Sequence, residues 1–276
     1  MTSKIKITSF LTITVLSSLL VIGSNTIGKI KLEQPSNANQ STQLILSAAA
    51  SLKSVIEDIE PLYQQKHPET EIIYNFGSSG SLQRQIEQGA PVDVFISAAS
   101  KQMDALEKED MLLTETRRDL LKNQMVLITS ESNAKNNPKF NSFEDLTHKK
   151  LKTIALGEPE SVPAGNYAQE VLTSFQIADK VIPKAVYGKD VRQVLNYVAT
   201  GNAEAGIVYR TDVQIINNVE IVATAPEDTH SPVVYPIAVI KNSQHREEAK
   251  DLIEFLTTPE AKKVFEENGF VTVNGH

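Results

Sequence analysis

The sequence predicts an α/β fold, and three observations carry the prediction. Short apolar runs of strand length alternate with longer stretches whose apolar residues recur at helical spacing. The alternation occurs early in the chain and resumes after a second strand-like run at Met125 to Thr129. At 276 residues the chain is long enough for two modest lobes, each burying its own core. Strands separated by helices pair in parallel, because the helix carries the chain back to the starting edge, so each sheet is expected to be mostly parallel.

The elements follow in order. Leu44 to Ser47 reads as a strand, and Leu52, Val55, Ile56, Ile59 and Leu62 mark a helix. Ile72 to Phe76 is a second strand, Leu82 and Ile86 lie on a second helix, and Val92 to Ser97 is a third strand. After Met125 to Thr129 come strands at Thr153 to Leu156, Ala185 to Val186, Gly206 to Tyr209 and Glu220 to Ala223. The helices among them are marked by Tyr167, Val171, Leu172 and Phe175, and by Val191, Val194, Leu195 and Val198. A last strand, Val233 to Val239, precedes helices from Glu247 to Leu256 and from Pro259 to Asn268, the latter opening on Pro and closing on Gly269.

Ahead of this body, Lys4 and Lys6 precede an apolar run from Ile7 to Ile22 broken only by Ser and Thr, the n- and h-regions of an export signal. Residues 1–25 are assigned to that signal, either cleaved or kept as an anchor, and the protein is placed outside the cytoplasm. Residues 26–42, rich in Asn, Gln and Ser around Pro35, have linker composition. With no cysteine in the sequence there is no disulfide framework, thiolate metal site or lipid-acceptor thiol.

Composition narrows the partners. Apolar residues at 41% and charged residues at 22% describe an ordinary globular chain. A net charge of -7 without a basic stripe argues against nucleic acid. Such a protein can hold an anion only through local donors.

Four segments share one grammar, in which a strand ends, small or polar residues follow and a helix begins. They are Ala48-Ala49-Ala50-Ser51-Leu52, Phe76-Gly77-Ser78-Ser79-Gly80-Ser81-Leu82, Val162-Pro163-Ala164-Gly165-Asn166-Tyr167 and Gly188-Lys189-Asp190-Val191-Arg192. Ligands of open parallel sheets sit beyond the carboxyl ends of the strands, so all four could face one cleft. Helix starts offer unpaired N–H groups and the positive end of the macrodipole, both suited to an anion, and small residues let it approach the backbone. Taken singly, each segment has a structural reading: Ser51 as an N-cap, Gly77 to Ser81 as a flexible turn, Asp190 as an N-cap, Val191 as core, and Tyr209 as a strand-end aromatic with its hydroxyl in water. Arg84 and Arg192 fit solvated or ion-paired roles on their helices.

Together, these segments resemble the molybdate-binding proteins of bacterial ABC importers. The resemblance extends through Gly89-Ala90-Pro91-Val92-Asp93-Val94-Phe95-Ile96-Ser97-Ala98, the turn from Gly157 to Gly165, Asp190-Val191-Arg192, Gly206-Ile207-Val208-Tyr209, Ala225 to His230 and Tyr235-Pro236-Ile237-Ala238, covering about Leu44 to Val271. It implies the type II periplasmic binding protein fold, with two α/β lobes joined by two crossover strands. The lobes would be residues 43–122 with 231–276, and 123–230. Carried over by motif, Ser51 and Ser79 donate from the first lobe, and the N–H groups of Ala164 and Val191 with the hydroxyl of Tyr209 donate from the second. The implied ligand is molybdate or tungstate, held without a cofactor or a directly bound metal ion, by a monomer that delivers it to a membrane permease. Gly77 and Gly80, where relatives often carry other small residues, depart from the pattern.

Both anions are bare tetrahedral dianions that only accept hydrogen bonds, whereas phosphate keeps a proton and wants an acceptor. Sulfate is also a bare dianion, and a sulfate or phosphate carrier on the same scaffold is the alternative. Catalysis lacks its parts. His67, His148, His230, His245 and His276 are scattered, and no G-x-S-x-G, P-loop, dinucleotide fingerprint or H-E-x-x-H occurs. A regulatory lobe of a transcription factor would need a DNA-binding segment where the export signal lies.

Overall fold

The computed structural model describes residues 41–131 and 141–273. The export signal and nearly all of the linker assigned above lie outside them, and the first strand already opens at Thr42.

The opening strand β1 (Thr42–Ala49) buries Leu44, Leu46 and Ala48, and pairs in parallel with β2 (Thr70–Gly77) and β3 (Val94–Ile96). A 3-10 turn (Ala50–Leu52) leads from it into α1 (Lys53–Lys66), whose Val55, Ile56, Ile59 and Tyr63 recur at helical spacing and are buried. Helix α2 (Ser79–Glu87) follows β2, and α3 (Ser100–Lys108) follows β3. The sheet is completed by β4 (Arg118–Lys122), by β10 (Val234–Val239) and by β11 (Val271–Thr272), in the order β11-β4-β10-β3-β1-β2.

Along β3 the pleat sends Val94 and Ile96 into one cluster with Leu44, Leu46 and Ile56, and Phe95 into another with Leu82, Met103 and Leu106. Each such side chain withdrawn from water contributes about 1.5–3 kcal/mol, an upper figure because denatured chains are already partly compact.

The second sheet is built from β5 (Met125–Ser130), β6 (Ile154–Gly157), β7 (Ala185–Gly188), β8 (Ala205–Tyr209) and β9 (Val219–Thr224), in the order β7-β6-β8-β5-β9. Helices α4 (Pro163–Ser174) and α6 (Val191–Ala199) pack on it, with short helices α5 (Ala178–Val181) and α7 (Arg210–Val213) between strands. Helix α4 lies so close to β6 that a Cβ on Gly165 would sit 2.0 Å from the Gly157 carbonyl oxygen. The chain closes with α8 (Arg246–Leu256) and α9 (Pro259–Glu267) beside the first sheet.

Both sheets are mixed, where mostly parallel ones are expected from the strand-helix alternation. Strands linked through helices do pair in parallel, as β1 with β2 and β6 with β7. Apart from β11 with β4, the antiparallel pairs involve β5 or β10, where the chain has just passed from one sheet to the other, through residues 123–124 and 225–233. A strand arriving by such a passage has no crossover helix to fix its direction.

Candidate functional site

The four strand-to-helix turns meet. Ala49, Ala50, Ser51, Gly77, Ser78, Ser79 and Ala98 from the first sheet face Val162, Pro163, Ala164, Asp190, Val191 and Tyr209 from the second across one small cleft. All five residues singled out from sequence, Ser51, Ser79, Ala164, Val191 and Tyr209, line it.

Each turn places its donor for a local reason. Ser79 is the first residue of α2 and Val191 the first of α6, while Ala164 is the second of α4, so helix geometry leaves their amides without a carbonyl one turn back. Pro163 at the head of α4 forfeits no bond there, since its missing N–H would have been an orphan. Asp190 caps α6, its carboxylate accepting from the Gln193 amide at 2.9 Å.

The two serines are both buried, and neither caps its own helix. The Ser79 hydroxyl oxygen accepts from the Ala98 amide at 2.9 Å. That contact fills a lone pair and leaves its proton to be donated. The Ser51 hydroxyl lies 3.0 Å from the phenol of Tyr235. Tyr209, which taken singly would put its hydroxyl in water, is instead 1% exposed, and its hydroxyl has no hydrogen-bond partner among the described residues. Burial raises its pKa well above the ordinary phenol value, so the group stays protonated and able to donate. An orphaned buried hydroxyl costs the fold about 1–3 kcal/mol, which is the signature of a group reserved for something else.

Arg192 is ion-paired, as its position on a helix suggested, but it does more. From α6 its Nε and Nη2 donate to the carbonyls of Ala50 and Ser51 at 3.2 and 2.9 Å, while Nε also stands 3.2 Å from Asp212. Asp212 is fully buried, and desolvation, only partly offset by the nearby Arg192 charge, pushes its pKa up to about 6. Gly80 makes a second link between the sheets, its amide donating to the Ser161 carbonyl at 2.9 Å. A Cβ there would fall 2.7 Å from the same oxygen, so the glycine that departs from the expected pattern permits this approach. Arg84 stays at the exposed surface beside Ser81.

Sequence reasoning missed the connecting groups, Tyr235 and the carbonyls of Ala50 and Ser51 that Arg192 reaches. Tyr235 was noticed only as part of a returning segment, and nothing local to it signals a contact with Ser51, 184 residues away.

Two α/β units that turn buried hydroxyls and helix-start amides toward one small cleft have the layout of a solute-capturing protein. The chain belongs to the bacterial extracellular solute-binding protein family, whose profile matches residues 44–271. It is 44% identical over 238 residues to YvgL of Bacillus subtilis, provisionally named an ABC transporter substrate-binding lipoprotein, covering 86% of this chain and 90% of that one. It is 36% identical over 230 residues to the molybdate-binding protein ModA of Haemophilus influenzae, covering 83% and 90%. Among solved structures, the substrate-binding domain of a provisionally assigned molybdenum ABC transporter from Clostridium difficile shares 46% identity at a TM-score of 0.66, covering 85% of this chain and all of that one. Members of this family bind solutes for transport and are not enzymes. Their two-lobed fold is the one this chain adopts.

Proposed function

We propose that this protein captures molybdate, with tungstate as an equivalent ligand, between its two sheets and passes it to the permease of an ABC importer. The observation that carries the reading is the convergence of Ser51, Ser79, Ala164, Val191 and Tyr209 on one cleft, with the Tyr209 hydroxyl buried and unpartnered. Two hydroxyls, a phenol and helix-start amides make a site of donors, and charge-assisted hydrogen bonds contribute roughly 1.5–3 kcal/mol each. Several of them exceed the roughly 8 kcal/mol that micromolar affinity requires, even after the ligand is immobilised.

Size and protonation state favour the same class of ligand. The cleft is small, a cavity of about 10 Å³. Sites for organic ligands run to about 300–1,000 Å³. Ser79 has a lone pair occupied by Ala98 and its proton free to be donated, which suits the oxygens of a bare dianion. The names of the ModA relatives supply the metal in that dianion.

Capture involves closure. The Arg192 contacts to Ala50 and Ser51 and the Gly80 contact to Ser161 join the two sheets at the rim of the cleft, so they form only when the halves approach. The closed monomer is the form that would dock on the permease, outside the cytoplasm, after the N-terminal segment has directed export. Calorimetric titration with molybdate, tungstate, sulfate and phosphate at matched ionic strength tests the reading. Tight binding of the first two supports it, and preference for sulfate or phosphate transfers the protein to the other oxyanion class.

A further inference from the structure

We propose that Tyr235 is a positioning residue that aims the Ser51 proton into the cleft, at the end of a one-way hydrogen-bond relay starting in the passage between the sheets. The inference rests on the oxyanion reading above and deepens it, because it concerns how one donor is kept a donor.

The relay begins at Asn123, between β4 and β5. The Gln124 amide donates to Asn123 Oδ1 at 2.9 Å, which fixes the orientation of the side-chain amide and turns Nδ2 the other way. Nδ2 then donates to Thr211 Oγ1 at 2.9 Å and to Tyr235 Oη at 3.3 Å. The phenol of Tyr235 is fully buried, so its own proton must find an acceptor. Asn123 Nδ2 has no lone pair to offer, and among the described residues the remaining partner of Tyr235 Oη is Ser51 Oγ, at 3.0 Å. Tyr235 therefore donates to Ser51. With an acceptor site of Ser51 occupied from behind, its hydroxyl proton is directed forward into the cleft that Ser51 lines.

The ring of Tyr235 is held independently of its hydroxyl, edge-on to Tyr209 with centroids 5.9 Å apart and to Phe270 at 5.7 Å. Tyr235→Phe thus removes the relay and keeps the packing. Without it, Ser51 can rotate and accept, so the site loses part of its bias toward an acceptor-only anion. A ring that merely supports the core would instead act whatever stands at residue 51.

The test is a double-mutant cycle by calorimetry on the full-length protein, comparing wild type, Tyr235→Phe, Ser51→Ala and the double variant with molybdate and with phosphate at neutral pH. Tyr235→Phe is expected to weaken molybdate binding about 3- to 10-fold and to lower the molybdate-to-phosphate affinity ratio, while leaving the Ser51→Ala protein within about 2-fold of its own affinity. An equal loss on both backgrounds, or no loss in wild type, overturns the relay. If Tyr235→Phe fails to fold, Asn123→Ala carries the same cycle, with a smaller loss that again vanishes beside Ser51→Ala. If wild type prefers sulfate, the molybdate assignment falls and the cycle is run on sulfate with the same expected pattern. If wild type takes none of these anions, the relay and the reading beneath it fall together.

Discussion

The Arg192 guanidinium stands 3.2 Å from the carboxylate of Asp212, which is fully buried. One side chain thus answers a buried charge in the second sheet and bonds two carbonyls of the first. Removing the arginine leaves the carboxylate uncompensated, a change that costs on the order of 3–5 kcal/mol for a buried pair. Arg192→Ala is therefore expected to lower the melting temperature, and Arg192→Ala with Asp212→Asn to recover much of it. The double variant should still bind the oxyanion more weakly than wild type, because the contacts across the cleft are gone. Restored affinity together with restored stability would show that Arg192 does nothing for closure.

The same carboxylate predicts a pH dependence. Its folded pKa, about 6, lies above the ordinary aspartate value near 4 because burial disfavours the charged form. The folded state then holds the proton more tightly than the unfolded one. This group's contribution to stability is full below about pH 4 and is lost as pH rises through about 6. Melting temperatures of wild type and Asp212→Asn, compared from about pH 4 to pH 7, should shift in the variant's favour as pH rises. A pH-independent difference would mean that Asp212 is ionised throughout.

Tyr209→Phe should act with opposite signs on the two states. Without ligand it deletes a buried hydroxyl that has no partner, so melting temperature should stay level or rise. With ligand it deletes a donor, and affinity should fall by about 1–3 kcal/mol, or roughly 5- to 150-fold. Lower stability and unchanged affinity together would remove Tyr209 from the site.

Gly80→Ala tests closure from the other lip. The added methyl would meet the Ser161 carbonyl oxygen at 2.7 Å, and relief requires the two sheets to separate. Affinity should drop while the unliganded protein keeps its melting temperature within a few degrees. Wild-type affinity would mean that the lips need not come together.

Much of the site was legible because its grammar is local. In each of the four turns strand end, small residues and helix start are neighbours in sequence, so their sharing a cleft follows from the general habit of α/β sheets. The strands themselves were found by periodicity, except β4, whose two buried leucines, Leu120 and Leu121, sit side by side among charged residues and show no alternation, and β11, which at two residues is too short to show a period. Helix α3 was also missed, since its apolar core is only Met103 and Leu106. The antiparallel pairing of β5 with β8 and of β10 with β3, the Tyr235 contact to Ser51 and the Arg192 contact to Ser51 depend on which distant segments meet, and no short window of sequence contains that.

The most direct test of the central claim is a crystal structure of the protein grown with molybdate, with the metal located by its anomalous signal. The account predicts one molybdenum peak in the cleft, its oxygens within about 2.7–3.2 Å of the hydroxyls of Ser51, Ser79 and Tyr209 and the amides of Ala164 and Val191. A peak held by other residues, or a protein that binds molybdate in solution and shows none in this cleft, would contradict it.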